Sequence, residues 1–125
     1  MNEVLTLKQL KKLLDNGGAS LKGGKPKSLK SGYMVSLRGF ETCLKSTNYK
    51  KIIKAIEEKQ KQIDRMRKNT QKNIYYVGLW LNDSICYIDI SMRIATKKEA
   101  IIMGLCNSQL AIFNNRKNES MYLMA

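Results

Sequence analysis

Ile74-Tyr75-Tyr76-Val77-Gly78-Leu79-Trp80-Leu81 and Ile85-Cys86-Tyr87-Ile88-Asp89-Ile90-Ser91 are two β-rich runs joined by Asn82-Asp83-Ser84. Aromatic and β-branched residues bounded by turn formers predict an antiparallel hairpin. The first run is apolar in both phases, so it is expected to lie centrally in a sheet with helix over at least one side. Tyr75 and Trp80 read as aromatics packed into that core. Gly78 marks a bulge or a close approach by a neighbour. Asp89 reads as a turn or edge residue near a strand end.

Immediately before the hairpin, the chain from Thr47 to Lys72 switches to helical period. Ile52, Ile53, Ile56, Ile63 and Met66 recur on one face, and Lys50, Lys54, Glu57, Lys61, Arg65 and Lys68 on the other. A helix over residues 48–69 follows, capped by Asn48 and fraying near Asn69-Thr70. After the hairpin, Thr96-Lys97-Lys98-Glu99 is a capping box that opens a helix ending near Asn107. Gly104 inside that helix implies a tight packing contact, because glycine costs about 1 kcal/mol there relative to alanine. Residues 109–114 and 120–124, split by Asn115-Arg116-Lys117-Asn118, form a closing hairpin.

Toward the N-terminus, Thr6 and Gln9 have capping-box spacing, and Leu7, Leu10, Leu13 and Leu14 form the buried stripe of a helix that Gly17 stops. Ala19-Ser20-Leu21 and residues 26–30 make a further hairpin, with Pro26 confining its arm to a sheet edge or a strand start. Tyr33-Met34-Val35-Ser36-Leu37 supplies another strand. The expected class is α+β: one domain spanning residues 1–125, with an antiparallel sheet built from hairpins and helices packed on one face.

The formal charge of +13 is unevenly placed. Residues 1–72 carry 18 Lys or Arg against 6 Asp or Glu, whereas residues 73–125 carry 5 against 4. The first part is therefore a basic half and the second is near neutral. Such asymmetry points to a polyanionic partner: nucleic acid, an acidic protein surface or an anionic membrane, the last ranking lowest because the helix over residues 48–69 has no Trp or Phe anchor. Lys50, Lys54, Lys61, Arg65 and Lys68 on the helix are the first candidate contacts. Lys22, Lys25, Lys27 and Lys30 on or near the N-terminal turns are the second, and they equally suit solubilising edge residues.

Cys43, Cys86 and Cys106 are odd in number and widely spaced, and the chain has no histidine. Those facts give no zinc set and predict buried free thiols in a reducing cytoplasm. Glu41, Asp83 and Asp89 show no ligand spacing, so neither a metal, a cofactor nor an enzyme is expected. No apolar run approaches the roughly 20 residues of a membrane span.

The pieces Gly17-Gly18-Ala19-Ser20-Leu21, Ser31-Gly32-Tyr33-Met34-Val35-Ser36, Tyr76-Val77-Gly78-Leu79-Trp80-Leu81, Tyr87-Ile88-Asp89-Ile90-Ser91 and Gln109-Leu110-Ala111-Ile112-Phe113-Asn114 resemble small proteins carried by phages and other mobile elements of Gram-positive bacteria. That setting also yields anti-CRISPR proteins. The resemblance implies an inhibitor of a host defence nuclease, such as a type II RNA-guided effector, met through the cationic helix face. The alternative is a nucleic-acid-binding accessory protein of the element, without sequence preference.

Overall fold

The computed structural model describes residues 5–70, with side chains as far as Met66 in that stretch, and residues 74–123. In chain order the elements are α1 (Leu7–Asp15), β1 (Gly18–Lys22), β2 (Lys25–Lys27), β3 (Tyr33–Ser36), β4 (Thr42–Lys45), α2 (Tyr49–Thr70), β5 (Tyr75–Asn82), β6 (Ile85–Ile94), α3 (Lys97–Cys106), β7 (Ala111–Asn114) and β8 (Glu119–Tyr122). The fold is α+β, with every strand pair antiparallel.

The β5–β6 hairpin is the spine. Its ladder runs from Tyr75 opposite Met92 to Asn82 opposite Ile85, so only Asp83 and Ser84 form the link. Both have positive φ, 50° and 69°, as a two-residue hairpin turn matched to strand twist requires. Asn82 belongs to the strand, not to a three-residue link. One edge of β6 carries β5, and the other is shared end to end. β4 pairs with the Ile85–Ile88 half, and β3 pairs with the Ser91–Ile94 half. The sheet path is β2-β1-β5-β6-β3-β7-β8, with β4 beside β3 on β6. The sequence reading contained no counterpart of β4.

All three helices pack on one face. Leu10 and Leu14 of α1 and Ile52, Ile56 and Ile63 of α2 meet Leu21, Val77, Leu79, Cys86, Ile88 and Ile90. Ala100 of α3 covers Val35, Met92 and Ile112. Fully burying each such aliphatic side chain stabilises the fold by about 1.5–3 kcal/mol, which offsets ordering a long, highly charged helix. The caps of α1 and α3 are present: Thr6 and Gln9 exchange side-chain and backbone bonds of 3.2 and 2.8 Å. In α3, Glu99 N donates to Thr96 Oγ1, whose hydroxyl donates to the Glu99 carboxylate at 2.8 Å. Gly104 is the expected tight contact, since a Cβ there would stand 2.7 Å from Leu123 Cδ1 and 2.9 Å from Ile112 Cγ2.

The sheet is curled, and chain length requires it. Residues 28–32 carry the chain from β2 to β3, past β1, β5 and β6. In a flat sheet that is four strand spacings sideways and five residues along, about 25 Å, whereas six Cα steps reach only about 21 Å. Consistent with the curl, Met34, Tyr76, Asp89 and Ser91 are buried although they alternate away from the helices.

Three expectations about individual residues are corrected. Trp80 has the opposite phase to Val77, Leu79 and Leu81, so it points away from the helical core and is 43% exposed; Tyr75 does pack with the core. Asp89 sits mid-strand in β6 and is 3% exposed, not at a turn or edge. Only Cys86 is a buried thiol; Cys43 and Cys106 are exposed.

Candidate nucleic-acid interface

The α2 cations form the stripe expected of them. At 100° per residue, Lys50, Lys54, Lys61 and Arg65 fall within about 60° of one another, diametrically across from Ile52, Ile56 and Ile63. All four are exposed. Among the described residues their side chains make no ion pair or hydrogen bond. The stripe from Lys50 to Arg65 is about 22 Å long, being fifteen steps of 1.5 Å. Glu57 lies within it and divides it into two basic pairs. Lys68 continues the same helix, and its side chain lies outside the described residues. Lys59 turns inward instead, donating to Thr42 Oγ1 at 2.9 Å and thereby tying α2 to β4.

The lysines of the β1–β2 hairpin occupy a different surface. Leu21 points to the helices, so Lys22, with opposite phase, points to the other face of the sheet. Lys25 stands directly across from Lys22, and Lys27 across from Ser20, which places all three on that face. The Lys22 ammonium lies 4.9 Å from the centre of the Tyr76 ring, a cation–π contact that offsets the repulsion of a like-charged neighbour. Lys25 and Lys27 are exposed on edge strand β2, where Pro26 is tolerated as expected. Lys30 is exposed in the β2–β3 connection. This connection is fastened at Ser31, whose carbonyl accepts from Arg93 Nε and Asn115 Nδ2 at 3.1 and 3.0 Å. The hairpin turn touches α2 through Gly23 N donating to Gln60 Oε1 at 3.0 Å. The two groups of cations thus meet at the hairpin tip but display their charges on opposite sides of the sheet.

Between them, on the helix-free face, is a constellation that the sequence reading did not assemble. Trp80 and Tyr87 are paired directly across β5 and β6, with ring centroids 4.7 Å apart and planes 21° from parallel. One ladder step away, Asp89 faces Gly78. A Cβ at position 78 would collide with Asp89 Oδ1, so the missing side chain is the space the carboxylate fills. Ser36 Oγ and Ser91 Oγ each donate to that carboxylate at 2.9 Å. The Trp80 indole beside it also favours its charged form. Burial pushes the Asp89 carboxyl above its ordinary value, while these three neighbours and the Lys59 charge pull it back down. Asp89 is therefore a buried carboxylate held by Ser36 and Ser91, not an exposed anion. The signal was present in the two-residue Asp83-Ser84 turn, which alone sets Trp80 against Tyr87 and Asp89 against Gly78.

Glu41, Asp83 and Asp89 do not converge: Glu41 precedes β4, Asp83 is in the hairpin turn and Asp89 lies at mid-strand. Among the described residues no three metal-ligating side chains gather. Also among these residues, no helix is long and apolar enough to cross a membrane. No known protein family, curated protein or solved structure matches the chain.

Proposed function

We propose that this protein binds nucleic acid, as an accessory protein of a phage or other mobile element, and that this binding serves to block a host RNA-guided nuclease. The observation that carries the reading is the α2 stripe: four exposed cations that make no ion pair or hydrogen bond among the described residues, on a helix held by a buried aliphatic face. Side chains of this kind pair with phosphates and release counterions, so they contribute affinity without reading sequence. The stripe has a single arginine and no Asn or Gln among its four cations, so it lacks the array needed to recognise base edges.

A cationic protein does not imitate the DNA that such a nuclease receives in its positive channel. Its route to inhibition is to grip guide RNA or displaced strand where the assembled effector exposes it. The test is titration of the protein against a guide-loaded type II nuclease and against free RNA and DNA, at two salt concentrations. Binding confined to the loaded nuclease, and lost on reversing Lys54, Lys61 and Arg65 to Glu, supports the inhibitor role. Equal, salt-sensitive binding to any nucleic acid keeps the accessory role and removes the inhibitor; failure to bind either overturns both.

A further inference from the structure

We propose that the helix-free face of the sheet takes a single-stranded nucleic acid, with one base stacked on Trp80 and the adjoining phosphates held by Lys25 and Lys27. This rests on the nucleic-acid reading above and adds a second surface with a defined substrate class.

Trp80 is a large aromatic 43% exposed on a sheet face that, among the described residues, carries no helix. Tyr87 covers one side of its ring. On the other side of β5, its cross-strand neighbour is Gly18, which offers no side chain. Gly18 has φ of 132°, and a Cβ there would collide with the Leu79 carbonyl, so the backbone itself keeps this position bare. A flat space therefore adjoins the ring. The ring is already stacked on Tyr87, which holds it before any ligand arrives. A platform held in this way loses little freedom on stacking.

The cations lie at the right distance for a nucleotide strand. Lys27 is in register with Ser20 and Gly78, two residues along from Trp80 and two strands across. The Cα separation is about 12 Å, within reach of a lysine side chain and one nucleotide. Gly18 and Ser20, both small and partly exposed, line the way from the ring toward the edge, and the Asp89 carboxylate fills the space over Gly78. Unpaired bases stack on aromatic side chains in this manner on sheet surfaces, and a duplex keeps its bases out of reach. Deoxyribose and ribose strands share the chemistry of base and phosphate, and the experiment separates them.

Trp80 is the only tryptophan in the chain, so its emission reports the site directly. The protein is titrated at low salt with dT and rU oligomers of about twelve nucleotides and with a duplex of equal length, following Trp80 fluorescence and, separately, the anisotropy of labelled oligomer. The proposal expects quenching by single strands only, about tenfold or greater weakening in Trp80→Ala, and retention in Trp80→Phe, which keeps a ring. Tighter binding of one oligomer identifies the sugar. Lys25→Glu with Lys27→Glu weakens single-strand binding with the platform intact, which provides a readout if Trp80→Ala fails to fold. Anisotropy that reports tight binding while wild-type emission is unchanged, or a Trp80→Ala variant that binds like wild type, overturns the sheet-face site and leaves nucleic-acid binding by α2 standing. Absence of any binding overturns both.

Discussion

Replacing Gly78 by Ala tests the geometry that holds Asp89. Position 78 does not need positive φ, so by backbone entropy alone the change stabilises by about 0.5–1 kcal/mol. Against this, the new methyl occupies the place of Asp89 Oδ1, and the next atoms are Asp89 Cγ at 3.0 Å and Ser91 Oγ at 3.2 Å. Asp89 has a short side chain bound by Ser36 and Ser91, so it moves only by breaking one of those bonds. A hydrogen bond to a charged group contributes about 1.5–3 kcal/mol, and a buried acceptor left short costs as much again in part. The expected net loss is about 2 kcal/mol, or about 8 °C in Tm for a chain of this length. Urea unfolding measures it, and Trp80 emission shifts as the carboxylate beside the indole is displaced. The decisive arm repeats the change in an Asp89→Ala background, where no carboxylate competes for the space. There Gly78→Ala becomes neutral or slightly stabilising, a coupling of about 2 kcal/mol. An equal cost in both backgrounds, within about 0.5 kcal/mol, refutes the steric account.

Two further outcomes follow from the titrating groups. Burial raises Asp89 above its usual 3.8, so between the unfolded and folded pKa values the native state binds the extra proton. Stability is therefore greatest on the acid side of that window and falls as pH rises through it; Asp89→Asn removes the fall. Urea midpoints from about pH 4 to about pH 8 should show the wild-type advantage over Asp89→Asn shrinking as pH rises, and a constant or growing advantage contradicts the assignment. For the thiols, reactivity follows the thiolate. Burial and, secondarily, the Cys43 charge push Cys86 up to about 11, and slight burial with the nearby Glu41 charge also raises Cys43. Native protein treated with a thiol reagent near pH 8 should modify Cys106 first, Cys43 more slowly and Cys86 only on unfolding; simultaneous loss of all three thiols contradicts the burial pattern.

The helices were legible for different reasons: α1 and α3 from their start signals, α2 from its long apolar period. Thr6 with Gln9, the 48–69 stretch and Thr96 with Glu99 each fix an element within a residue or two. β4 was not legible: Thr42-Cys43-Leu44-Lys45 is too short for a period, and its partner is decided by which half of β6 remains free beside β3. The misplacement of Trp80 came from phase. β5 is apolar in both phases, so alternation alone does not say which set meets the helices. The polar phase of β6, Asp89 and Ser91, carries that information, but only once the turn is known to contain two residues and not three. For the site, the α2 stripe could be read from helical period, whereas the sheet-face constellation depends on cross-strand register. The same register separates Lys22, Lys25 and Lys27 from the helix cations, which the sequence treated as parts of one basic half.

Salt dependence reports whether the α2 stripe binds phosphates. Affinity for an RNA or DNA oligomer is determined across a salt series for wild type and for the triple reversal of Lys54, Lys61 and Arg65 to Glu. Each phosphate contact contributes about 0.7–0.9 to the slope of log K against log salt, so the reversal should flatten the slope by about 2 to 3 and weaken binding most at low salt. An unchanged slope and affinity in the variant, or no wild-type binding at about 50 mM salt, contradicts the account.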